Sequence, residues 1–178
     1  MKTIILGSLF DGPHLGYIAL SLAISALILW LSVRFIKTQK YKDMFLKFWS
    51  LATFFLHISP LWINFLKGEP AIAADNMLFP IYFCNMSMYL LVIVAFWGNK
   101  KTKFFGYIST IVAYAGAFGA LISLFYPEYY LNGNSIFEWG IFKSMLSHST
   151  MLIGCLYLFV GGYFKVNKFN TLIYSIGL

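Results

Sequence analysis

The sequence predicts an all-α protein, a polytopic transmembrane helical bundle. Of its 178 residues, 60% are hydrophobic and 11% are charged, and the mean hydropathy is +0.76. An average soluble domain carries about 25% charged residues. The apolar residues occur in runs of roughly 20, the length of helix that crosses about 30 Å of hydrocarbon. The runs lack the alternation of apolar and polar residues that a membrane β-barrel requires.

The apolar runs define the elements in order. The first predicted span, 15–33, follows Asp11-Gly12-Pro13, and proline suits the first turn of a helix. The next four are predicted, between short polar segments, at 48–66, 78–97, 104–125 and 142–164. A sixth run, 169–178, would rise only about 15 Å as a helix, half a bilayer, so we expect further sequence after it. We therefore predict five full spans and a truncated sixth in one integral membrane domain, 1–178, without a cleaved signal peptide.

The charged residues are divided between alternate loops. Ten of the 13 Lys and Arg residues fall in the first, third and fifth loops. Five of the six acids fall at the N-terminus or in the second and fourth loops: Asp11, Glu69, Asp75, Glu128 and Glu138. The positive-inside rule then predicts a cell-membrane protein whose N-terminus lies outside the cytoplasm. We expect membrane lipids as partners, because the net charge of +7 suits anionic head groups, and we expect no nucleic-acid partner.

Two predicted spans carry polar groups that hydrocarbon cannot satisfy. The segment 79–88 brings a thiol and an amide, Cys84 and Asn85, into the third span, and 147–150 brings His148 into the fifth. Both Cys84 and His148 lie six residues from the predicted outer end of their span, about 9 Å along a helix. Because lipid offers no hydrogen-bond partners, such groups must be satisfied internally or used. These two segments define the candidate site.

The other histidines and the small residues extend this interpretation. His14 lies at the outer mouth of the first span and His57 about one turn deeper than Cys84, so all four groups could face one outer cavity. Serine, threonine and histidine recur at helical spacing in the first two spans, which predicts inward faces that hydrogen-bond between helices; for His57, a core role and a site role both stay open. The following residues predict close packing: Ala113, Gly116, Ala117, Gly119, Ala120 and Cys155.

A Cys-His pair is the smallest unit that can transfer an acyl group. An imidazole can take the thiol proton and generate the nucleophilic thiolate, which gives Cys84 and His148 catalytic roles. The expected oxyanion donors are Tyr82, Asn85 and Ser87, and the expected partners that orient the imidazole are Ser147, Glu138 and Asp75. A zinc site would have to be assembled from His14, His57, Cys84 and His148 on four helices, and the spacing of these residues does not indicate one, so we predict no metal and no cofactor.

Two other functions fit the same pattern. A bundle with an outer polar cavity also suits a small-molecule binding or transport component, although no paired half-helix repeats are present. The small residues of the fourth span suit a non-catalytic structural protein.

Several motifs carry a resemblance to a known family. They are Phe10-Asp11-Gly12-Pro13-His14-Leu15, 78–87 with its Pro-x-x-x-Cys-Asn core, 116–121 with Tyr126-Pro127-Glu128, and Leu146-Ser147-His148. In order and spacing they resemble the bacterial YwaF-type integral membrane proteins, which are similar to the animal transmembrane protein 164, over nearly the whole chain. The animal branch is regarded as a lipid acyltransferase that moves acyl chains between phospholipids, and the resemblance implies Cys84 as nucleophile and His148 as base. Where that family commonly has a histidine two residues before the cysteine, this chain has Tyr82, which leaves any such role lost or passed to His57.

Overall fold

The helices of the protein follow the predicted order. The computed structural model describes residues 9–68, 82–127 and 137–164, and these residues form helices and no strands. The helices are α1 (Gly12–Phe35), α2 (Gln39–His57), α3 (Ser59–Lys67), α4 (Phe83–Phe96), α5 (Lys103–Phe125) and α6 (Trp139–Val160). The predicted all-α class is confirmed for the described residues.

The number of full spans differs from the prediction. By length and apolarity, α1 and α5 can each cross a membrane alone, and α2 with α3 can form a third, bent crossing. Five full spans are not confirmed, because α4 has only 14 residues and the polar run in α6 lowers its apolarity. Residues 78–81 of the third predicted span and the whole sixth, 169–178, lie outside the described residues.

Helix α1 and helix α5 match the predicted first and fourth spans closely because their ends carry capping signals. The Asp11 side chain accepts a hydrogen bond from the backbone N–H of His14 at 2.9 Å, and Pro13 occupies the first turn of α1. The Thr102 hydroxyl accepts from the backbone N–H of Phe105 at 3.2 Å and caps α5.

The second predicted span, 48–66, is corrected at its start and in its continuity. Helix α2 begins at Gln39, so lysines expected in the first loop lie on a helix. The helix is interrupted at Ile58, and the axis of α3 is bent by 58° relative to that of α2. Pro60 explains the break, since its ring excludes a continuous helix and it has no N–H to donate. The indole N–H of Trp62 bridges the break by donating to the carbonyl of Phe55 at 2.9 Å.

Helix α6 is the centre of the bundle and packs against α1, α2, α4 and α5. Most of its residues are buried, including the polar run from Ser147 to Thr150. The Ser149 hydroxyl accepts from Ser21 of α1 at 2.7 Å, and the Thr150 hydroxyl accepts from Thr53 of α2 at 3.0 Å. A helix surrounded by other helices needs no lipid-facing apolar surface, which is why α6 tolerates these groups. The predicted inward orientation of the serine and threonine stripes is confirmed at these contacts.

The small residues of α5 allow close helix packing, as predicted. A Cβ atom at Gly116 would overlap the sulfur of Cys155 on α6 and lie 3.3 Å from the Cβ of Ser87 on α4. A Cβ atom at Gly119 would lie 3.3 Å from the Cβ of Cys84. Cys155 is fully buried and both cysteines are free thiols, which confirms the packing role of Cys155.

One end of the bundle, here called the basic end, gathers the end of α1, the start of α2, the α4–α5 connection and the end of α6. Asp43 is the one acid that the sequence places on the basic side, and in the structure its carboxylate accepts three hydrogen bonds. Its Oδ1 accepts from Lys100 at 2.8 Å, from the Tyr163 hydroxyl at 2.8 Å and from Gln39 at 2.9 Å. Burial and the Asp43 carboxylate raise the pKa of the Tyr163 hydroxyl, so this group stays protonated and donates. Asp43 thereby ties α2, the α4–α5 connection and the segment after α6 together.

Candidate functional site

Cys84 lies in the first turn of α4, at the end of the bundle opposite to the basic end. Its side chain is half-buried, and the sulfur donates to Asn85 Oδ1 at 3.6 Å. The absence of a side chain at Gly119 lets the backbone of α5 approach the Cα of Cys84, because an added Cβ would lie 3.4 Å from it. The positive end of the α4 dipole favours negative charge at this position.

His148 is buried in α6 with only one of its ring nitrogens engaged. Its Nδ1 lies 2.7 Å from the carbonyl oxygen of Ser144, which can only accept, so Nδ1 carries a proton. Its Nε2 is buried and has no hydrogen-bond partner among the residues that the structure describes. In the neutral ring this nitrogen holds an unused lone pair, the group that a general base needs.

No hydrogen bond joins Cys84 to His148, since Nε2 has no partner. Cys84 packs against α5 at Gly119, and Cys155 packs against α5 at Gly116. His148 precedes Cys155 by seven residues, two helical turns, and so lies on nearly the same face of α6. Ser87 of α4 and Cys155 of α6 meet at Gly116, and from that level Cys84 lies three residues and His148 seven residues towards the same end. At 1.5 Å per residue, His148 lies about 6 Å closer than Cys84 to the end of the bundle opposite to the basic end. The two residues therefore do not share the depth that the sequence predicted.

The expected supporting residues occupy different positions around this pair. Asn85 accepts from the Cys84 sulfur, and Ser87 is buried where α4 meets α5. Tyr82 is exposed and precedes α4. Ser147 donates to the Ser144 carbonyl at 2.8 Å, the same oxygen that accepts from His148, so it contacts the partner of the imidazole and not the ring. Of the outer-loop acids, Glu138 is exposed at the N-cap of α6, and Asp75 lies outside the described residues.

Ser144 was missed by the sequence reasoning. The group that orients His148 is its backbone carbonyl, which every residue type supplies. The only available signal was its position one helical turn before the histidine.

His14 joins the start of α1 to the end of α5. Its Nδ1 accepts from the backbone N–H of Phe10 at 3.0 Å, so Nε2 carries the proton and donates to the carbonyl of Leu124 at 2.9 Å. Phe10 adopts φ 61° and stacks on the ring, with centroids 5.7 Å apart. Both nitrogens are thus engaged, and His14 acts as a structural clamp. These contacts give Phe10 and His14, two residues of the Phe10-to-Leu15 motif, a structural role.

His57 lies at the end of α2, close to α6. It is buried, its ring meets the edge of Tyr89 with centroids 5.8 Å apart, and its Nε2 has no hydrogen-bond partner. His148 and Lys143 both act electrostatically on this ring. The sequence reasoning named His57 and missed Lys143 and Tyr89, because residues of three different helices meet here only in the folded chain.

Within 9–68, 82–127 and 137–164, no three His, Cys, Asp or Glu side chains are grouped closely enough to hold a metal ion.

These features define a class. A helical bundle with membrane-crossing apolar helices and a polar central helix is an integral membrane protein. More particularly, the chain belongs to the TMEM164 family, whose model matches residues 9–178. No curated protein and no solved structure matches the chain.

Proposed function

We propose that this TMEM164-family protein is a membrane acyltransferase or acyl hydrolase in which Cys84 is the nucleophile and His148 the general base. The single observation that carries the proposal is the unpartnered Nε2 of His148, buried and held in the tautomer that accepts a proton. The position of Cys84 on the α5-facing side of α4, at the same end of the bundle, supports it further. Within the family we infer the bacterial YwaF-type branch from the motifs given above. A sequence tree that groups the chain with animal members would contradict that inference.

The proposed reaction has two steps. The Cys84 thiol gives its proton to His148 Nε2, and the thiolate attacks the carbonyl carbon of a lipid ester. The carbon–oxygen ester bond breaks, the leaving alcohol takes the proton from Nε2, and an acyl thioester remains on Cys84. A second alcohol, or water in a hydrolase, then gives its proton to Nε2 and attacks the thioester carbonyl. The carbon–sulfur bond breaks, the new ester or the free acid leaves, and the Cys84 sulfur takes the proton back from Nε2. The sulfur must leave Asn85, and the two side chains must close the offset of about 6 Å along the bundle, before the proton can move.

Acyl labelling tests the nucleophile. Incubation of the purified protein with a phospholipid that carries a radiolabelled acyl chain is expected to label the wild type and Cys155→Ala through a hydroxylamine-sensitive thioester, and to leave Cys84→Ala unlabelled. Cys155 is the matched control because it is the other free thiol and lies in the core. Labelling that survives in Cys84→Ala would overturn the proposal. A lipid bound without labelling of the wild type would favour the binding or transport function.

We also infer that the basic end faces the cytoplasm of a cell-membrane protein. The cations Arg34, Lys37, Lys40, Lys42, Lys47, Lys100, Lys101 and Lys103 lie at or near this end of the helices. The positive-inside rule assigns such an end to the cytoplasm, which puts Cys84 and His148 in the outer half of the membrane.

Two engineered cysteines test this orientation in intact cells. Gly98 and Gly140 are both exposed, lie at opposite ends of the bundle, and have no atom within 4 Å of an added Cβ. In a background without Cys84 and Cys155, an impermeant maleimide is expected to label Gly140→Cys and not Gly98→Cys until the cells are lysed. The reverse pattern would invert the topology.

A further inference from the structure

Lys143 is a half-buried cation without an anionic partner among the described residues. It lies one turn into α6, and no carboxylate of the described chain is within salt-bridge distance of its ammonium group. The other half-buried lysines of the described residues each have a partner: Lys100 is paired with Asp43, Lys42 donates to the Gly161 carbonyl at 3.0 Å, and Lys47 lies over the Phe96 ring. A charge withdrawn from water is costly unless it is paired. Lys143 is therefore placed to receive an anion that the described residues do not supply.

Two buried imidazoles lie at the same end of the bundle as this cation, one on α2 and one on α6. His57 and His148 are each 7% exposed, and the Nε2 of each is buried without a hydrogen-bond partner. A hydrogen bond of 3.0 Å joins Thr53 of α2 to Thr150 of α6. From that level, His57 lies one turn and Lys143 two turns towards the same end, on the faces where the two helices meet. Most buried polar groups in proteins have a partner, so two unpartnered ring nitrogens at this end indicate a place where a ligand supplies one.

The spacing along α6 matches the chemistry of a phospholipid. Lys143 and His148 are separated by five residues, about 7.5 Å of helix. The head-group region on each side of a bilayer is about 5–7.5 Å thick, given a hydrocarbon core of about 30 Å within a total of 40–45 Å. A lipid whose phosphate meets Lys143 thus places its glycerol oxygens at the depth of His148.

We propose that Lys143 and His57 form a phosphate-binding subsite that positions a phospholipid beside His148. Lys143 contributes the positive charge, and His57 donates from Nε2. This inference rests on the proposed function, which supplies the lipid ester that reacts beside His148. It adds two positioning residues, Lys143 and His57, and the phosphate group that they recognise. Binding at this subsite does not require turnover, so it can be measured separately from catalysis.

The test uses the full chain with Cys84→Ala, which cannot form the thioester, purified in an uncharged detergent. Native mass spectrometry measures binding of a single-chain lipid phosphate monoester and of the monoacylglycerol with the same chain. Lys143→Met is expected to weaken binding of the phosphate lipid about tenfold, the effect of losing one charge-assisted hydrogen bond, and to leave monoacylglycerol binding unchanged. His57→Phe is expected to act in the same direction. Lys143→Arg keeps the charge and is expected to retain binding, which separates loss of charge from loss of folding.

The control variants distinguish a specific phosphate subsite from a general attraction of the anionic lipid to the basic protein. Lys67→Met removes an exposed cation at the end of α3 and is expected to change nothing. Equal losses for Lys143→Met and Lys67→Met, or equal losses for both lipids, would overturn the subsite. Inorganic phosphate that binds as tightly as the lipid in a Lys143-dependent way would contradict a lipid source. Lys143-dependent binding in a protein that never labels Cys84 would support the subsite while removing the acyl chemistry.

Discussion

Replacing His148 by glutamine is expected to slow acylation of Cys84 by about two to four orders of magnitude, the usual contribution of a positioned general base. Glutamine can keep a hydrogen bond to the Ser144 carbonyl, but its amide cannot take a proton from the thiol. The measurement is the single-turnover rate of thioester formation at saturating lipid, so that weaker lipid binding does not enter the result.

Ser147→Ala is the matched control for His148→Gln. Ser147 donates to the same Ser144 carbonyl as the imidazole and is equally buried in α6, yet it does not touch Nε2. Its loss is expected to change the rate by less than about threefold, because the Nδ1 bond remains. If His148→Gln retained the wild-type rate in a folded protein, the imidazole would not be the base.

Replacing Gly116 by valine is expected to destabilise the bundle by about 3 kcal/mol, the upper end of the usual range for overpacked cores. Even the first added carbon would overlap the sulfur of Cys155 and crowd Ser87, and the three helices that meet here cannot separate without losing buried contacts. The loss is measured as the fall in unfolding temperature and in the free energy of unfolding in detergent.

A compensating pair and a matched glycine test the cause. Cys155→Ala removes the sulfur, so it is expected to restore part of the stability that Gly116→Ala loses, with a coupling energy of about 1 kcal/mol. Gly106→Ala on the same helix meets no atom within 4 Å and is expected to be neutral or slightly stabilising, since alanine favours helix. Equal destabilisation by Gly106→Ala and Gly116→Ala would mean that close helix packing is not the reason.

The sequence located the elements best where local signals agreed. For α1 and α5, long apolar runs coincide with capping residues, so the predicted starts and ends differ from the observed ones by three residues or fewer. For α2 the prediction failed, because apolarity marks where a helix meets hydrocarbon and not where the helix begins. The lysines at positions 40, 42 and 47 have a high helix propensity, so they extend α2 beyond its apolar part. Their long side chains can reach polar surroundings from the helix.

The sequence predicted which types of residue to expect at the candidate site, but it did not predict the role of each one. The sequence named His14, His57 and His148 together, since an imidazole in an apolar run calls for an explanation. The structure separates them: His14 uses both nitrogens in a clamp, whereas His57 and His148 each keep an unpartnered Nε2. The sequence did not indicate Lys143, because a lysine near a helix end is ordinary and only the fold shows that no acid among the described residues pairs with it.

By itself, the sequence determined that this is a helical membrane protein with charge divided between its two ends, because hydrophobicity and charge act on each segment independently of the others. Tertiary structure alone decided that α6 is the central helix, that Asp43 ties the basic end together, and that no hydrogen bond joins Cys84 to His148. Those features depend on distances between residues far apart in the chain. The sequence predicted close packing at Gly116 and Gly119, but only the structure shows which side chains they meet, Cys155 and Ser87 at the first and Cys84 at the second.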